Sequence, residues 1–238
     1  MRFALNIDHV ATLRNARGEE QPDPVTIAMI AEEAGVDGIV VHLREDRRHI
    51  SERDVRLLRE MIKTKFDLEM AANDEIINIA CDVGPELATL VPEKRQELTT
   101  EGGLNIIDNS KLYKDTIIKL HDAEIEVSLF IEPEIATIDL AAEIDADFIE
   151  IHTGTFANAV SEEEQFDELD RIRAAVIHAK KLGLGVNAGH GLNYHNIKIF
   201  REVPDIDEVS IGHSIIARAV NVGIVEAVKE MRWLIKGQ

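Results

Sequence analysis

The sequence predicts an α/β fold, a (β/α)8 TIM barrel with extra helices, formed as a single domain over residues 1–238. Three observations point there. Short, mostly apolar β-type runs alternate with segments whose apolar residues recur three and four apart, from one end of the chain to the other. Counting gives eight strand–helix units, which favours closure into a barrel over an open doubly wound sheet. A length of 238 residues suits one such barrel and leaves two independent domains cramped. No shift of composition marks a boundary, and the units share no evident sequence repeat.

Strands are expected near residues 3–7, 38–42, 66–70, 87–91, 126–130, 148–151, 185–187 and 208–211. Apolar residues make up 45% of the chain and aromatics only 4%, so Ile, Val, Leu and Ala must fill the core, as suits parallel strands buried on both faces. Helical periodicity occupies residues 25–34, 55–62, 75–81, 112–121 and 166–182. Asp23-Pro24 offers an N-cap followed by proline at the first helical position. Ser51-Glu52-Arg53-Asp54 opens the next helix with a capping-box pattern that carries Asp in place of Glu. Gly35 and Gly183 stop helices. A last helix at 220–236 runs past the eighth strand and is expected to pack across the barrel or on a partner.

The formal charge of −19 repels nucleic acid and anionic lipid, which excludes both as partners. It also repels a phosphorylated substrate, so a phosphate site needs a local basic island. Such islands exist. Arg14 and Arg17 fall in the first βα loop, Arg44, Arg47, Arg48 and His49 in the second, Lys94 and Arg95 in the fourth. Pairing with Glu45 and Asp46 is the plainer account of Arg47 and Arg48. Cys81, the single cysteine, precludes an internal disulfide and reads as a buried, inert thiol. MRFALNIDH meets Asp8 before a signal-peptide core forms, and no apolar run reaches membrane-spanning length, so the cytoplasm is the expected location.

A barrel builds its active site at the C-terminal ends of its strands. Here those ends carry Asn6, Asp8 and His9; His42, Arg44 and Glu45; Glu69; Glu93, Lys94 and Arg95; Glu150 and His152; Asn187 and His190; Gly212 and His213. Stability alone is a poor account of so many ionisable groups, because a barrel interior penalises unpaired charge. VNAGHGLNYHN and IGHSIIARAV place glycines at the seventh and eighth ends, where backbone N–H groups commonly bind phosphate. Glu69 should point inward, as a general base or as the partner that orients a histidine. His152 reads equally as a core hydrogen-bonder, and His121, His178 and His195 fall in helical stretches without a catalytic role. No metal-ligand spacing is evident, so no metal is expected. Lys94, between Glu93 and Arg95, reads as a phosphate or lid contact more than as a Schiff-base lysine. The segment 92–110, PEKRQELTTEGGLNIIDNS, is long for a βα loop; with Gly102-Gly103 as a hinge it predicts a lid, an ordered surface insertion being the alternative.

Taken in order, NIDHVATLRNARG, VHLREDRRHI, LEMA, LVPEKRQELTTEGG, SLFI, FIEIHTG, VNAGHGLNYHN and IGHSIIARAV resemble the pyridoxine 5'-phosphate synthase family of vitamin B6 biosynthesis, from the first strand to the last helix. The resemblance implies a transferase that condenses 3-amino-2-oxopropyl phosphate with 1-deoxy-D-xylulose 5-phosphate, giving pyridoxine 5'-phosphate, phosphate and water with no cofactor. By motif it implies His42 and Glu69 as proton acceptors, His190 as proton donor and Glu150 as transition-state stabiliser. Asn6, Arg17, Gly191, Gly212 and His213 look like contacts for the amino-ketone phosphate. Asp8, His9, Arg44, His49 and Thr99 look like contacts for the sugar phosphate. It further implies a homo-octamer whose partners are small phosphorylated molecules. The residues by themselves also admit another barrel enzyme on sugar phosphates, an isomerase, epimerase or aldolase, although no expected strand offers an aldolase a well-placed inward lysine.

Overall fold

The structure, a computed structural model, describes residues 1–93 and 102–237. Eight parallel strands pair in chain order and close on themselves. β1 (Arg2–Asn6) leads through a short helix, α1 (Asp8–Asn15), to α2 (Pro24–Ala34). β2 (Gly38–His42) is followed by α3 (Glu52–Met61), β3 (Lys65–Met70) by α4 (Asp74–Val83), β4 (Leu87–Leu90) by α5 (Ser110–His121), and β5 (Glu126–Ile131) by α6 (Ile135–Glu143). β6 (Phe148–His152) carries α7 (Gly154–Asn158) before α8 (Glu162–Lys181), β7 (Gly185–Gly189) the one-turn α9 (Ile197–Phe200), and β8 (Glu208–Ile211) the pair α10 (His213–Val222) and α11 (Ile224–Lys236). Register between Arg2–Leu5 and Glu208–Ile211 closes the ring.

Strand alternation sets what lies where. In β6, Ile149 and Ile151 are fully buried against the helical layer, while Glu150 between them turns into the barrel. The same alternation turns Lys65, Asp67 and Glu69 of β3 inward, so the barrel interior carries a polar column through an otherwise aliphatic core.

At the N-terminal face one device occurs four times. The acid just before an even-numbered strand accepts the N–H of the strand before it. Asp37 takes Phe3, Glu86 takes Phe66, Asp147 takes Val127 and Asp207 takes Val186. Each acid also meets a base from the helical layer: Lys236, Arg59, His121 and Lys180 respectively. Part of the negative charge of the chain is thus structural.

Caps follow the residues. Ser51 and Asp54 form the expected capping box, and Gly35 ends α2 at φ 104°. Asp23 precedes Pro24 as expected, but its carboxylate accepts from the Thr26 hydroxyl instead of a helix N–H. Four expectations need correction. The last helix is two helices, because Gly223 takes φ 82°, ψ 156°, a conformation open to glycine alone. Residues 8–15 form a helix, not the βα loop that the sequence suggests. His195 sits in the turn before α9 and not in a helix. Cys81 is half-buried, its thiol pushed up by partial burial. α11 lies against α2, α9 and α10, fixed by Arg218–Glu230 and by the Tyr194 hydroxyl donating to the Ala227 carbonyl. Among the described residues no helix is long and apolar enough to cross a membrane.

The proposed lid falls partly on residues 94–101, outside the described residues. Beyond them, Leu104 and Ile106 are buried, and the Gly103 N–H donates to Glu132 Oε1 at 2.9 Å. A Cβ on Gly103 would come within 2.5 Å of the Glu132 backbone nitrogen, so this glycine serves close packing.

Candidate active site

A cavity of about 590 Å³ opens at the C-terminal mouth of the barrel. His42, Glu69, Glu150 and His190 face it from β2, β3, β6 and the turn after β7. Asn6, Asp8, His9, Arg44, His49, Gly191, Gly212 and His213 complete most of its wall. Of the expected site residues, Thr99 lies outside the described residues, as do Lys94 and Arg95. Arg17 is described but exposed in the turn after α1, off the cavity wall.

Two carboxylates dominate the electrostatics. Burial pushes the Glu69 carboxyl well above its ordinary range, and the negative charges of Glu150, Asp8 and Asp67 push it further. Burial likewise pushes Glu150 up to about 8, with Asp67 adding and Lys65 opposing. At neutral pH the pair therefore retains a proton, and either member, once ionised, is a base strong enough to take a proton from an activated carbon or nitrogen. The inner wall leaves no room to spare: a Cβ on Gly189 would overlap Glu150 Oε1.

Each histidine has a defined partner. The His42 backbone N–H donates to Asp8 Oδ1 at 2.9 Å, and His42 Nε2 lies 2.8 Å from Glu93 Oε1. The Ile50 N–H donates to His49 Nδ1, so His49 carries its proton on Nε2. Burial holds His9, His49 and His190 below the usual histidine range. His9 packs edge-on against His213, their ring centres 5.2 Å apart, and His9 Nδ1 is buried with no hydrogen-bond partner among the described residues. His190 adopts φ 76° and Gly191 φ 78°, a paired left-handed turn. That turn explains the glycine beside His190, for a Cβ on Gly191 would also meet the Ala157 methyl at 2.5 Å. Gly212 caps α10, and Ser214 lines the same corner.

The basic island is partly structural. Arg14 is buried and grips Asp54 with both terminal nitrogens, at 2.8 and 2.9 Å, while also donating to the His49 carbonyl. It holds the second βα loop in place and does not face the cavity. Arg48 pairs with Asp46, as expected, but Arg47 pairs with Glu52 and Glu75 in place of Glu45 and Asp46. Arg44 is buried on the cavity wall and reaches Asp46.

Sequence reasoning missed three features. Glu93 is the partner of His42, across 51 residues of chain. His152 bonds Glu132 at 2.7 Å and lies beside the His190 ring, two contacts that its place in the sequence does not suggest. Lys65 is an inward lysine, but its ammonium sits 2.5 Å from Glu208 Oε1 at the opposite end of the barrel from the mouth, where it cannot serve an aldolase. Asp8, His42 and Glu69 also bring one ligand atom each within 4.8 Å of one another, a spacing open to a cation as well as to proton exchange.

Comparison with known proteins adds the following. Residues 3–237 match the model of the family "Pyridoxal phosphate biosynthesis protein PdxJ". A pyridoxine 5'-phosphate synthase of Chlorobium phaeobacteroides is 58% identical over 236 residues, covering 99% of this chain and 100% of that one. A protein of the same name from Geobacter sulfurreducens is 54% identical over 99% of this chain and 98% of its own. Among solved structures, a thiamine phosphate pyrophosphorylase from Pyrococcus furiosus superposes with a TM-score of 0.63 at 14% identity, covering 99% of this chain and 96% of that one. Tryptophan synthase of Mycobacterium tuberculosis superposes with 0.65 at 11%, covering 98% and 92%. These last two share the fold alone.

Proposed function

The chain belongs to the PdxJ family, and from that premise we propose that it is a pyridoxine 5'-phosphate synthase, condensing 3-amino-2-oxopropyl phosphate with 1-deoxy-D-xylulose 5-phosphate into pyridoxine 5'-phosphate, phosphate and water. One observation carries the reading: His42, Glu69, Glu150 and His190 face a single cavity at the barrel mouth. The substrate amine adds to a ketone, the carbinolamine loses water, protons leave carbon, phosphate departs and the ring closes. Every step moves a proton, and several acid–base groups around one pocket are what such a sequence requires.

In this reading Glu69 and His42 take protons from nitrogen and carbon. A cationic nitrogen arriving beside Glu69 favours its ionised form, and its raised affinity then makes it an effective base. Glu150, protonated at neutral pH, donates to oxygen as negative charge develops there. His190 gives the proton that departing water needs. The amino-ketone phosphate is assigned to Gly191 in the turn after β7 and to Gly212 and His213 at the N-terminus of α10, where the helix dipole favours an anion, with Asn6 and Arg17 as further contacts. The sugar phosphate is assigned to Arg44 and His49, whose Nε2–H is a donor, with Asp8, His9 and Thr99. We assign the active form to a homo-octamer in the cytoplasm.

The test is direct. Purified protein given both phosphorylated substrates should form a pyridine product and release phosphate in equal amounts. No product under those conditions, or turnover only after a redox cofactor is added, would overturn the reading.

A further inference from the structure

His190 borders two cavities. One is the mouth already described. The other, of about 800 Å³, opens on its far side between α7 and α8, and His152, Gly154, Thr155, Asn158 and Glu168 also line it. His152, on the wall of the second cavity alone, is buried, with Nδ1 2.7 Å from Glu132 Oε1. Its ring centre is 5.0 Å from that of His190, at an interplanar angle of 57°. A side chain at 154 would close the gap, since a Cβ there would overlap His152 Nε2 and come 3.2 Å from His190 Cδ2. Gly154 thus leaves the two imidazole rings side by side, near enough for a water to bridge them. Glu132 is itself held, accepting the Gly103 N–H at 2.9 Å.

We propose that Glu132 and His152 form a relay that supplies protons to His190 from the second cavity. The inference rests on the donor role proposed for His190. A general acid surrenders a proton in each turnover and must regain one. With both substrates seated, the mouth is filled, and the second cavity is the route to solvent left on the other side of the ring. A carboxylate at Nδ1 keeps the proton on that nitrogen and leaves Nε2 as the acceptor. Water in the second cavity, or a buffer acid, gives a proton to His152 Nε2. The imidazolium faces Glu132 until it passes that proton to His190, as His190 gives its own to the departing oxygen, and His152 is neutral again. Burial and the neighbouring His152 hold His190 below the usual histidine range, so its ring stores little standing charge at neutral pH and depends on supply. His152 does not touch substrate and is a positioning and relay residue.

His152→Gln retains a side-chain amide for Glu132 but cannot titrate. In dilute buffer its kcat should fall about tenfold with KM within about twofold of wild type, and free imidazole should restore the rate saturably while leaving wild type unaffected. Glu132→Gln should show a smaller, likewise rescuable loss. A wild-type kcat in His152→Gln, or a loss that raises KM and ignores imidazole, would overturn the relay. A second readout needs no turnover: proton exchange at the His190 ring, followed by nuclear magnetic resonance, should slow about tenfold in His152→Gln if the relay feeds it. Unchanged exchange would overturn the relay as well. Absence of pyridine product from the wild-type protein bears on the proposed function alone.

Discussion

His42 Nε2 lies 2.8 Å from Glu93 Oε1, and both side chains are buried, 6% and 7% exposed. Glu93 Oε2 accepts the Glu45 N–H. Burial pushes the Glu93 carboxyl up, but His42 and that N–H outweigh it, so it stays ionised well into acid. An ionised Glu93 holds the proton of His42 on Nε2 and leaves Nδ1 as the acceptor, much as a buried carboxylate orients a catalytic histidine elsewhere. Glu93→Gln can still accept a hydrogen bond and should fold, yet it should lower kcat by about 10–10²-fold with little change in KM. Steady-state kinetics checks this; a loss expressed in KM would make Glu93 a substrate contact instead.

Glu69→Gln and His42→Asn should each cost about 10²–10⁴-fold in turnover while leaving folding intact. Glu69→Gln removes a carboxyl that burial and its acidic neighbours destabilise, so any change in its melting point should be upward. Near-wild-type turnover in either variant would remove that residue from the mechanism.

Much of this was legible in the chain, for local reasons. Strands show as short runs of β-branched and aliphatic residues, and most of the candidate site residues line one cavity because a barrel places its strand ends in one mouth. What escaped depends on contacts remote in sequence or on backbone angles. Glu93 meets His42 across 51 residues, and Arg14 meets Asp54 across 40, so neither pairing follows from spacing. The break at Gly223 is a matter of φ and ψ, which apolar periodicity passes over. The acids before β2, β4, β6 and β8 are plain in the sequence as VDG, PEL, ADF and IDE, but their shared task appears only once the strands are paired.

The pH dependence of stability should carry the mark of Glu150. Unfolded, it ionises above about 4.5; folded, burial and the charge of Asp67 keep its proton to about 8. Across that window the folded protein binds more protons than the unfolded chain, so stability falls as pH rises. Asp67, raised by burial to about 6, contributes in the lower part of the window. Glu150→Gln removes the larger penalty. It should melt above wild type at about pH 8, with the gap closing toward about pH 5, and should lose activity throughout. Thermal unfolding across the range decides; a gap independent of pH would mean that Glu150 is ionised in the folded protein.

Asp8, His42 and Glu69 are close enough to hold a cation, but their atoms are engaged. Asp8 accepts from the Asn6 amide and from the His42 backbone, and His42 Nε2 is bonded to Glu93. A metal would have to displace these bonds, so dialysis against a strong chelator should leave turnover unchanged. Activity lost to the chelator and restored by one divalent cation would assign the trio to a metal.

The two phosphate sites should be separable by substitution. A chain with a net charge of −19 must concentrate cations where dianions bind, and Arg44 is the one arginine described on the cavity wall. Planar guanidinium groups bind phosphate oxygens in pairs, a geometry that lysine lacks. Arg44→Ala should weaken the sugar phosphate by about 1.5–3 kcal/mol, roughly ten- to a hundredfold in Kd, and leave the amino-ketone phosphate nearly unaffected. Folding should survive, because Asp46, the carboxylate partner of Arg44, keeps Arg48. Arg17, exposed beyond α1, should matter only to the amino-ketone phosphate, and only by a contact made on binding. Both effects should resist added salt if the sites are enclosed, since buried charge pairs are poorly screened. Calorimetric titration of each variant with each substrate measures all of this. If Arg44→Ala weakened both ligands equally, the two phosphates would share one site; if Arg17→Ala weakened neither, Arg17 would leave the contact set and the backbone N–H groups of Gly212 and its neighbours would carry the amino-ketone phosphate without it.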